Sequence, residues 1–196
     1  MHGFFAMLSR MKYIDRWGLM RCTRGETLSE HTLETAMLAH ALVAIANDRF
    51  GESLDAGRAV LYALYHDCSE IITGDLPTPV KYHDEAIRDA YHAIEAQASA
   101  RLLSLLPQRL RGAFSPYFSP DDRYAPYIKA ADKLSAVIKC IEEEQAGNRE
   151  FSVAKEASLA HPALRLPAAR VFIEEYLPAY SLTLDEIEKP GEETQL

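Results

Sequence analysis

The chain has 196 residues, and its 21 Lys and Arg against 29 Asp and Glu give a net charge of −8. That length suits a single domain with a sizeable core, and the acidic balance argues against a nucleic-acid-binding protein, which needs a basic surface. No stretch approaches the about 18 uninterrupted apolar residues of a membrane span, and the N-terminus lacks the long apolar core of a signal peptide. We therefore expect a protein that binds neither nucleic acid nor membranes.

The three cysteines, Cys22, Cys68 and Cys140, show no short repeated spacing. An odd number without such spacing argues against a disulfide framework or a zinc site of the CxxC type, and favours a reducing compartment. We therefore predict a cytoplasmic location and expect each thiol to be a small buried side chain.

The spacing of apolar residues predicts helices in the first half of the chain. Thr27 followed by Glu30 predicts a capping box at the start of a second helix. A third helix is predicted over residues 55–74, with Gly74 as its C-terminal stop. The first helix is indicated by apolar residues at intervals of three and four, namely Phe4, Met7, Met11 and Ile14.

Prolines divide the second half of the chain. Pro77 and Pro79 predict an extended loop after the third helix, because proline cannot continue a helix interior. Further helical segments are predicted at about 85–106, as a short helix within an irregular connection at 107–126, at 127–147, and at 166–182. No alternating strand pattern interrupts the series, so we predict an all-α, single-domain helical bundle over residues 1–196, with 189–196 as a flexible tail.

The third predicted helix carries three ionisable groups within an otherwise apolar stretch. His66 and Glu70 are four residues apart and Asp67 and Glu70 are three apart, which places them on one face of a continuous helix. Burying such groups is costly unless something compensates their charge. Glu70 could also simply face water, and a His-Asp pair alone is common by chance.

Two other helices carry a similar group. His31 lies near the start of the second helix, and Asp132 lies on an apolar stripe of the long helix at 127–147. Two imidazoles and two carboxylates, His31, His66, Asp67 and Asp132, suit Zn, Mn, Fe or Co better than Ca. A lone Asp in a helix is usually solvated, but three helices that donate inward form the usual metal site of a bundle core.

The order His31, then His66 with Asp67, then Asp132 resembles the HD superfamily of metal-dependent phosphohydrolases. The strings "LSRMKYIDRWGLMR", "SEHTLETAMLAHAL", "YHDCSEIITGDLPTPVKY" and "AADKLSAVIKCIEEEQAGNREF" resemble more closely the bacterial HD-domain 5′-deoxynucleotidases. This resemblance implies an HD-type bundle that removes phosphate from deoxyribonucleoside 5′-monophosphates. It also implies a homodimer. We expect low base selectivity, because no obvious base-reading group appears in the motifs.

The resemblance implies roles for the matching residues. His31, His66, Asp67 and Asp132 become the ligands of one divalent ion (Co, Mn, Zn or Fe), with His31, Asp67 and Asp132 also lining the substrate. Glu70 becomes the residue that orients or deprotonates the attacking water, and Arg16 the one that holds the phosphate.

The resemblance also implies a wall around the sugar. Trp17 packs on the deoxyribose, Asp75 accepts a hydrogen bond from its 3′-hydroxyl, and Leu76, Pro77 and Thr78 complete the wall. From the residues alone, Arg16 could be a surface cation, Trp17 a core aromatic side chain and Asp75 a turn residue.

Two other functions stay open at this point. Another HD hydrolase would keep the four ligands but cleave a phosphodiester or a nucleoside polyphosphate. A non-catalytic helical module would use the same residues only to bind a nucleotide, although such a module has no need for Glu70 beside a water molecule.

Overall fold

The structure is a computed structural model that describes residues 2–81 and 83–188, and of residues 78 and 79 only the backbone. The helices in chain order are α1 Phe4–Leu8, α2 Leu28–Phe50, α3 Ala56–Tyr65, α4 Glu70–Thr73, α5 Thr78–Lys81, α6 Glu85–Ser104, α7 Gln108–Phe114, α8 Ala125–Gln145, α9 Ser152–Leu159, α10 Pro167–Glu175 and α11 Leu184–Ile187. Short 3-10 helices cover Ser9–Tyr13, Ser115–Phe118, Arg149–Phe151, Pro162–Arg165 and Leu177–Ser181.

Helices dominate the part of the chain that is described. The only extended pairing there is an isolated antiparallel bridge between Asp15 and Thr27. The all-α prediction is therefore confirmed. None of the described helices is both long and apolar enough to cross a membrane.

Helices α2 and α8 form the centre of the bundle, and α3 and α10 pack around them. Their contact faces are fully buried, as Leu42, Val43, Leu134 and Val137 show. The capping box predicted at Thr27 and Glu30 starts α2. Because α2 and α8 lie side by side in the core, polar groups on their facing sides meet out of bulk water.

A second apolar cluster lies apart from the central one. It joins the first helix to α6 and to the segment after α3, through Phe4, Met11, Leu28, Cys68, Leu102 and Leu106. The cysteines are free: Cys68 and Cys140 are buried, whereas Cys22 is only partly buried, so the prediction of a buried thiol is wrong there.

The predicted single helix over residues 55–74 is wrong, because α3 ends at Tyr65 and α4 starts only at Glu70. The Nδ1 atom of His66 hydrogen-bonds the Ala63 carbonyl at 2.6 Å, the acceptor that a continuing helix offers to the Asp67 N–H. Residues 66–69 close tighter turns instead, with the Glu70 N–H donating to the Asp67 carbonyl at 3.0 Å. Gly74, at φ 75°, ends α4 as predicted.

The loop prediction is correct only as far as Pro77. Residues 74–77 form no regular secondary structure, but α5 follows, with the Lys81 N–H donating to the Pro77 carbonyl at 3.0 Å. A proline in the first turn of a helix removes no intrahelical hydrogen bond, so Pro79 does not prevent α5. Helix α9 has no predicted counterpart, and the predicted tail at 189–196 lies outside the described residues.

Candidate metal centre and active site

Three separate segments bring the four predicted metal ligands together. The first turn of α2 supplies His31, the turn after α3 supplies His66 and Asp67, and the middle of α8 supplies Asp132. The Nε2 atom of His31 lies 3.5 Å from Asp67 Oδ2 and 3.5 Å from Asp132 Oδ1. The Nε2 atom of His66 lies 3.0 Å from Asp67 Oδ2.

These donors fit a divalent metal ion. Ligand atoms of His31, His66 and Asp67 all lie within 4.8 Å of one another, and Asp132 meets this group through His31. The buried Nε2 atom of His66 makes no hydrogen bond to any described residue, although it faces the Asp67 carboxylate. An imidazole nitrogen left in this way beside a carboxylate is a typical metal ligand.

The charges of the cluster shift one another's pKa values. Burial raises the pKa of both Asp67 and Asp132, but the facing imidazoles, and for Asp132 also Lys129 and Lys133, outweigh it and hold each pKa well below its usual range. Burial and the Arg16 charge lower the pKa of His31, but hydrogen bonds to the two carboxylates raise it overall. Both carboxylates are therefore ionised at neutral pH, as metal coordination requires.

A second set of contacts holds His31 through the other ring nitrogen, Nδ1. Its Nδ1 atom lies 3.0 Å from the Ser135 hydroxyl, which donates to Glu34 Oε2 at 2.5 Å. Because the Ser135 hydroxyl donates its hydrogen bond to Glu34, the serine oxygen can accept a hydrogen bond from His31 Nδ1–H. This tautomer leaves Nε2 free to face the carboxylates.

Glu70 lies at the first residue of α4, beside the cluster, and is buried. Its position does not come from the helical face predicted for His66, because the chain turns between them. Burial, followed by repulsion from Asp67 and Asp75, raises the pKa of Glu70 to about 9. Its buried Oε2 atom has no hydrogen-bond partner among the described residues.

Arg16 and Trp17 lie in the segment that links the first helix to α2. The Nη1 atom of Arg16 is 3.8 Å from Asp67 Oδ2, so the guanidinium group borders the metal ligands. The Trp17 ring packs against Phe151 with centroids 5.2 Å apart. Arg16 is therefore not simply a surface cation, whereas the packing of Trp17 on the buried Phe151 also fits a core aromatic side chain.

The segment after α4 borders the same site. Burial raises the pKa of Asp75, and the Arg16 charge and the Trp17 backbone N–H oppose that rise, which places Asp75 beside both residues. Leu76 and Pro77 follow it and are partly buried. The side chain of Thr78 lies outside what the structure describes.

Comparison with known proteins gives the family. A model of the "5′-deoxynucleotidase YfbR-like" family matches residues 3–180. The chain is 48% identical over 190 residues to the 5′-deoxynucleotidase YfbR of Shigella dysenteriae, which covers 94% of each chain. The chain belongs to the YfbR-like 5′-deoxynucleotidase family. This membership confirms the predicted family and the predicted class of enzyme.

Solved structures show that this YfbR-like chain shares the fold of HD-domain phosphohydrolases. An HD-domain phosphohydrolase from Listeria innocua superposes with a TM-score of 0.79 at 23% identity, over 95% of this chain and 91% of that chain. The cyanophage S-2L HD phosphohydrolase DatZ, described as bound to dA and one catalytic Zn²⁺ ion, superposes with a TM-score of 0.62 at 22% identity, over 91% of this chain and 96% of that chain. The predicted HD-type bundle is confirmed.

Sequence reasoning missed several residues of this YfbR-like site. Ser135 and Glu34 hold His31, and Glu26 contacts both Arg16 and Trp17. Ser135 follows Asp132 by three residues and Glu34 follows His31 by three, so helical spacing could have placed each on the ligand's face. Nothing in the sequence pattern points to Glu26.

Proposed function

We propose that the protein releases inorganic phosphate from deoxyribonucleoside 5′-monophosphates at the site formed by His31, His66, Asp67 and Asp132. One observation carries this proposal: the carboxylates of Asp67 and Asp132 each lie 3.5 Å from the buried Nε2 atom of His31. Glu70 and Arg16 lie beside this group. The curated relative from Shigella dysenteriae bears the name of this activity.

The four ligands would hold one divalent ion. Imidazole and carboxylate donors suit Zn, Mn, Fe or Co, and the description of DatZ names zinc for a protein of the same fold. When bound, such an ion acts as a Lewis acid and lowers the pKa of water from about 15.7 towards about 7, which supplies a nucleophile at neutral pH.

Glu70 would orient the attacking water and accept its proton. With its pKa raised to about 9, this carboxyl would need the positive charge of the bound ion to lower that pKa and ionise it at neutral pH. Its Oε2 atom lacks a hydrogen-bond partner among the described side chains, so it is available to a water molecule. Asp67 and Asp132 are assigned to the ion, and because their pKa values are held well below the usual range, each is a weaker base than Glu70.

Arg16 would bind the phosphate. Its planar guanidinium group offers paired N–H donors that match two oxygens of a phosphate dianion. Burial lowers the pKa of Arg16, but the acidic neighbours Glu26, Asp75 and Asp67 outweigh it and raise the pKa, so the group stays charged. It is the positive side chain that borders the ligand cluster from the N-terminal segment.

Trp17, Asp75, Leu76, Pro77 and Thr78 would surround the sugar. Asp75 would accept a hydrogen bond from the 3′-hydroxyl group, and the wall would leave no room for a 2′-hydroxyl group. Discrimination against ribonucleotides would then be steric. Base identity would matter little, since the motifs contain no obvious group that would hydrogen-bond a base.

The test is phosphate release by the purified, metal-loaded protein from dAMP and AMP, with and without a chelator. We expect release from dAMP to exceed that from AMP and to stop on chelation. Glu70→Gln should reduce kcat by about 10²–10⁴-fold with metal content unchanged, while the exposed Glu156→Gln control stays active. Equal rates on both nucleotides would refute the deoxyribose preference, and release only from cyclic or triphosphate substrates would refute the monoesterase.

We further propose that the protein is a homodimer in the cytoplasm. A homodimer is supported by Leu33 and Met37, which lie one turn apart on α2 and are 57% and 59% exposed. Sedimentation velocity should show a dimer that Leu33→Glu weakens, and a monomer would contradict it. The free cysteines support a cytoplasmic location.

A further inference from the structure

A single carboxylate contacts both side chains assigned to the phosphate and the sugar. Glu26 Oε2 accepts a hydrogen bond from Arg16 Nε at 3.1 Å and another from Trp17 Nε1 at 2.6 Å. The backbones meet as well, since the Arg16 N–H donates to the Glu26 carbonyl at 2.9 Å. Both side chains of the Arg16–Glu26 ion pair are nearly buried, at 11% and 12% exposure.

The contact fixes the direction of the Arg16 guanidinium group. Glu26 occupies the Nε edge, while Nη1 lies 3.8 Å from Asp67 Oδ2. Three further carboxylates, those of Asp75, Asp67 and Asp132, also attract this arginine and raise its pKa. Without Glu26 the guanidinium group would be drawn fully onto these carboxylates, and its paired donors would no longer be available to a phosphate.

The contact also supports an unusual backbone at Trp17. Its φ of 62° is left-handed, and Trp17 is the one non-glycine residue with positive φ among those described. A bulky residue keeps such a conformation only when its surroundings hold it. The indole bond to Glu26 and the packing on Phe151 provide that support.

Glu26 itself lies on an anchored segment. The buried Lys139 donates from Nζ to the Arg24 carbonyl at 2.6 Å, and the buried Glu143 accepts from the Thr23 N–H at 2.8 Å. Residues 23 and 24 are therefore tied to α8, and Thr27 starts α2 just beyond Glu26. A carboxylate on so fixed a backbone can orient its partners.

We propose that Glu26 is a positioning residue that sets the Arg16 guanidinium group and the Trp17 indole together, so that phosphate and sugar binding depend on one carboxylate. This inference rests on the proposed function, in which Arg16 binds the phosphate and Trp17 packs on the sugar. Glu26 acts through these two side chains and touches no reacting atom.

The test uses Glu26→Gln, which keeps the size of the side chain but removes its charge. Trp17 is the only tryptophan of the chain, so intrinsic fluorescence reports its surroundings directly. On the metal-loaded protein we expect a rise of about tenfold in KM for dAMP, the effect of losing one charge-assisted hydrogen bond. We also expect weaker binding of inorganic phosphate, a shifted emission maximum and unchanged metal affinity.

Glu30→Gln is the matched control. Glu30 lies four residues later at the start of α2, bonds Arg24 and Thr27, and glutamine can keep its capping box. It should leave KM, phosphate binding and emission as in the wild type. If Glu26→Gln does not fold, Glu26→Asp replaces it, because it keeps the charge but is one methylene too short to reach both donors.

Unchanged KM, phosphate binding and emission in the Glu26 variant would overturn the inference. Arg16→Ala separates this failure from that of the proposed function. If Arg16→Ala weakens phosphate binding while the Glu26 variant does not, only the positioning role of Glu26 is wrong. If Arg16→Ala binds phosphate as the wild type does, the proposed role of Arg16 is wrong, and the inference falls with it.

Discussion

His31 uses both nitrogens of its ring, and each faces a different environment. Nε2 faces two carboxylates, and Nδ1 faces the Ser135 hydroxyl. The residue is fully buried at the start of α2, so its ring cannot turn towards water when a contact is lost. The hydrogen bond between Nδ1 and Ser135 therefore determines which nitrogen is available to a metal ion.

Replacing Ser135 should weaken metal binding. In Ser135→Ala the Nδ1–H of His31 loses its acceptor and Glu34 loses a donor, so the tautomer is no longer fixed. We expect metal affinity to fall by about 10–100-fold, measured by competition with a chromogenic chelator. Ser104→Ala, at an exposed site on α6, serves as the control. Wild-type affinity in Ser135→Ala would contradict the role of this hydrogen bond.

At the scale of the helices, α8 contributes both to the candidate site and to the support of a neighbouring loop. Its middle supplies Asp132 to the site, and its last turns hold the segment that carries Glu26. Glu143 accepts from Thr23 and Asn148 and pairs with the buried Lys139. Burial raises the pKa of Glu143, but these donors outweigh it and hold the pKa far below its usual range.

Glu143→Gln should destabilise the protein in a pH-dependent way. Removing one partner of a buried ion pair costs about 3–5 kcal/mol, because Lys139 is left uncompensated. The carboxylate stabilises the fold fully above its unfolded pKa of about 4.3, and that stability is lost as the pH falls towards the lower folded pKa. Urea unfolding should therefore show the largest difference from wild type above about pH 5, with a smaller one below about pH 4.

The matched control for this prediction is Glu150→Gln. Glu150 also pairs with the same loop, through Arg21, but at the surface. Glu150→Gln should lose much less unfolding free energy than Glu143→Gln, and it should not weaken phosphate binding. An equal loss in both variants would show that burial of the Lys139–Glu143 pair does not matter.

On the scale of the whole molecule, the proposed metal site joins parts that are distant in the chain. The proposed ligands come from α2, from the turn after α3 and from α8, so an ion bound to all four would hold the bundle together. A ligand that binds only the folded state stabilises it by about 2.7 kcal/mol at a hundredfold excess over its Kd.

Metal loading should therefore raise the melting temperature. For a chain of this size, about 2.7 kcal/mol corresponds to roughly 5–10 °C. Differential scanning calorimetry of protein with Co²⁺ and after chelator treatment measures the shift. His66→Ala should lose most of it, and an equal shift in His66→Ala would mean that the ion binds elsewhere.

The sequence by itself determined the helical class, because apolar spacing and caps such as Thr27 with Glu30 act over a few residues. Spacing and motif also named His31, His66, Asp67, Asp132 and the neighbouring Glu70. All of these lie together in the structure.

Only the tertiary structure decided how these residues are presented. The end of α3 at Tyr65 depends on the His66 side chain taking a backbone carbonyl, which helical periodicity does not encode. Ser135 meets Glu34 across 101 residues of chain, and Glu26 meets Arg16 across a loop of irregular backbone. Such contacts arise from the packing of α2 against α8 and from loop anchoring, and local propensity carries no information about either.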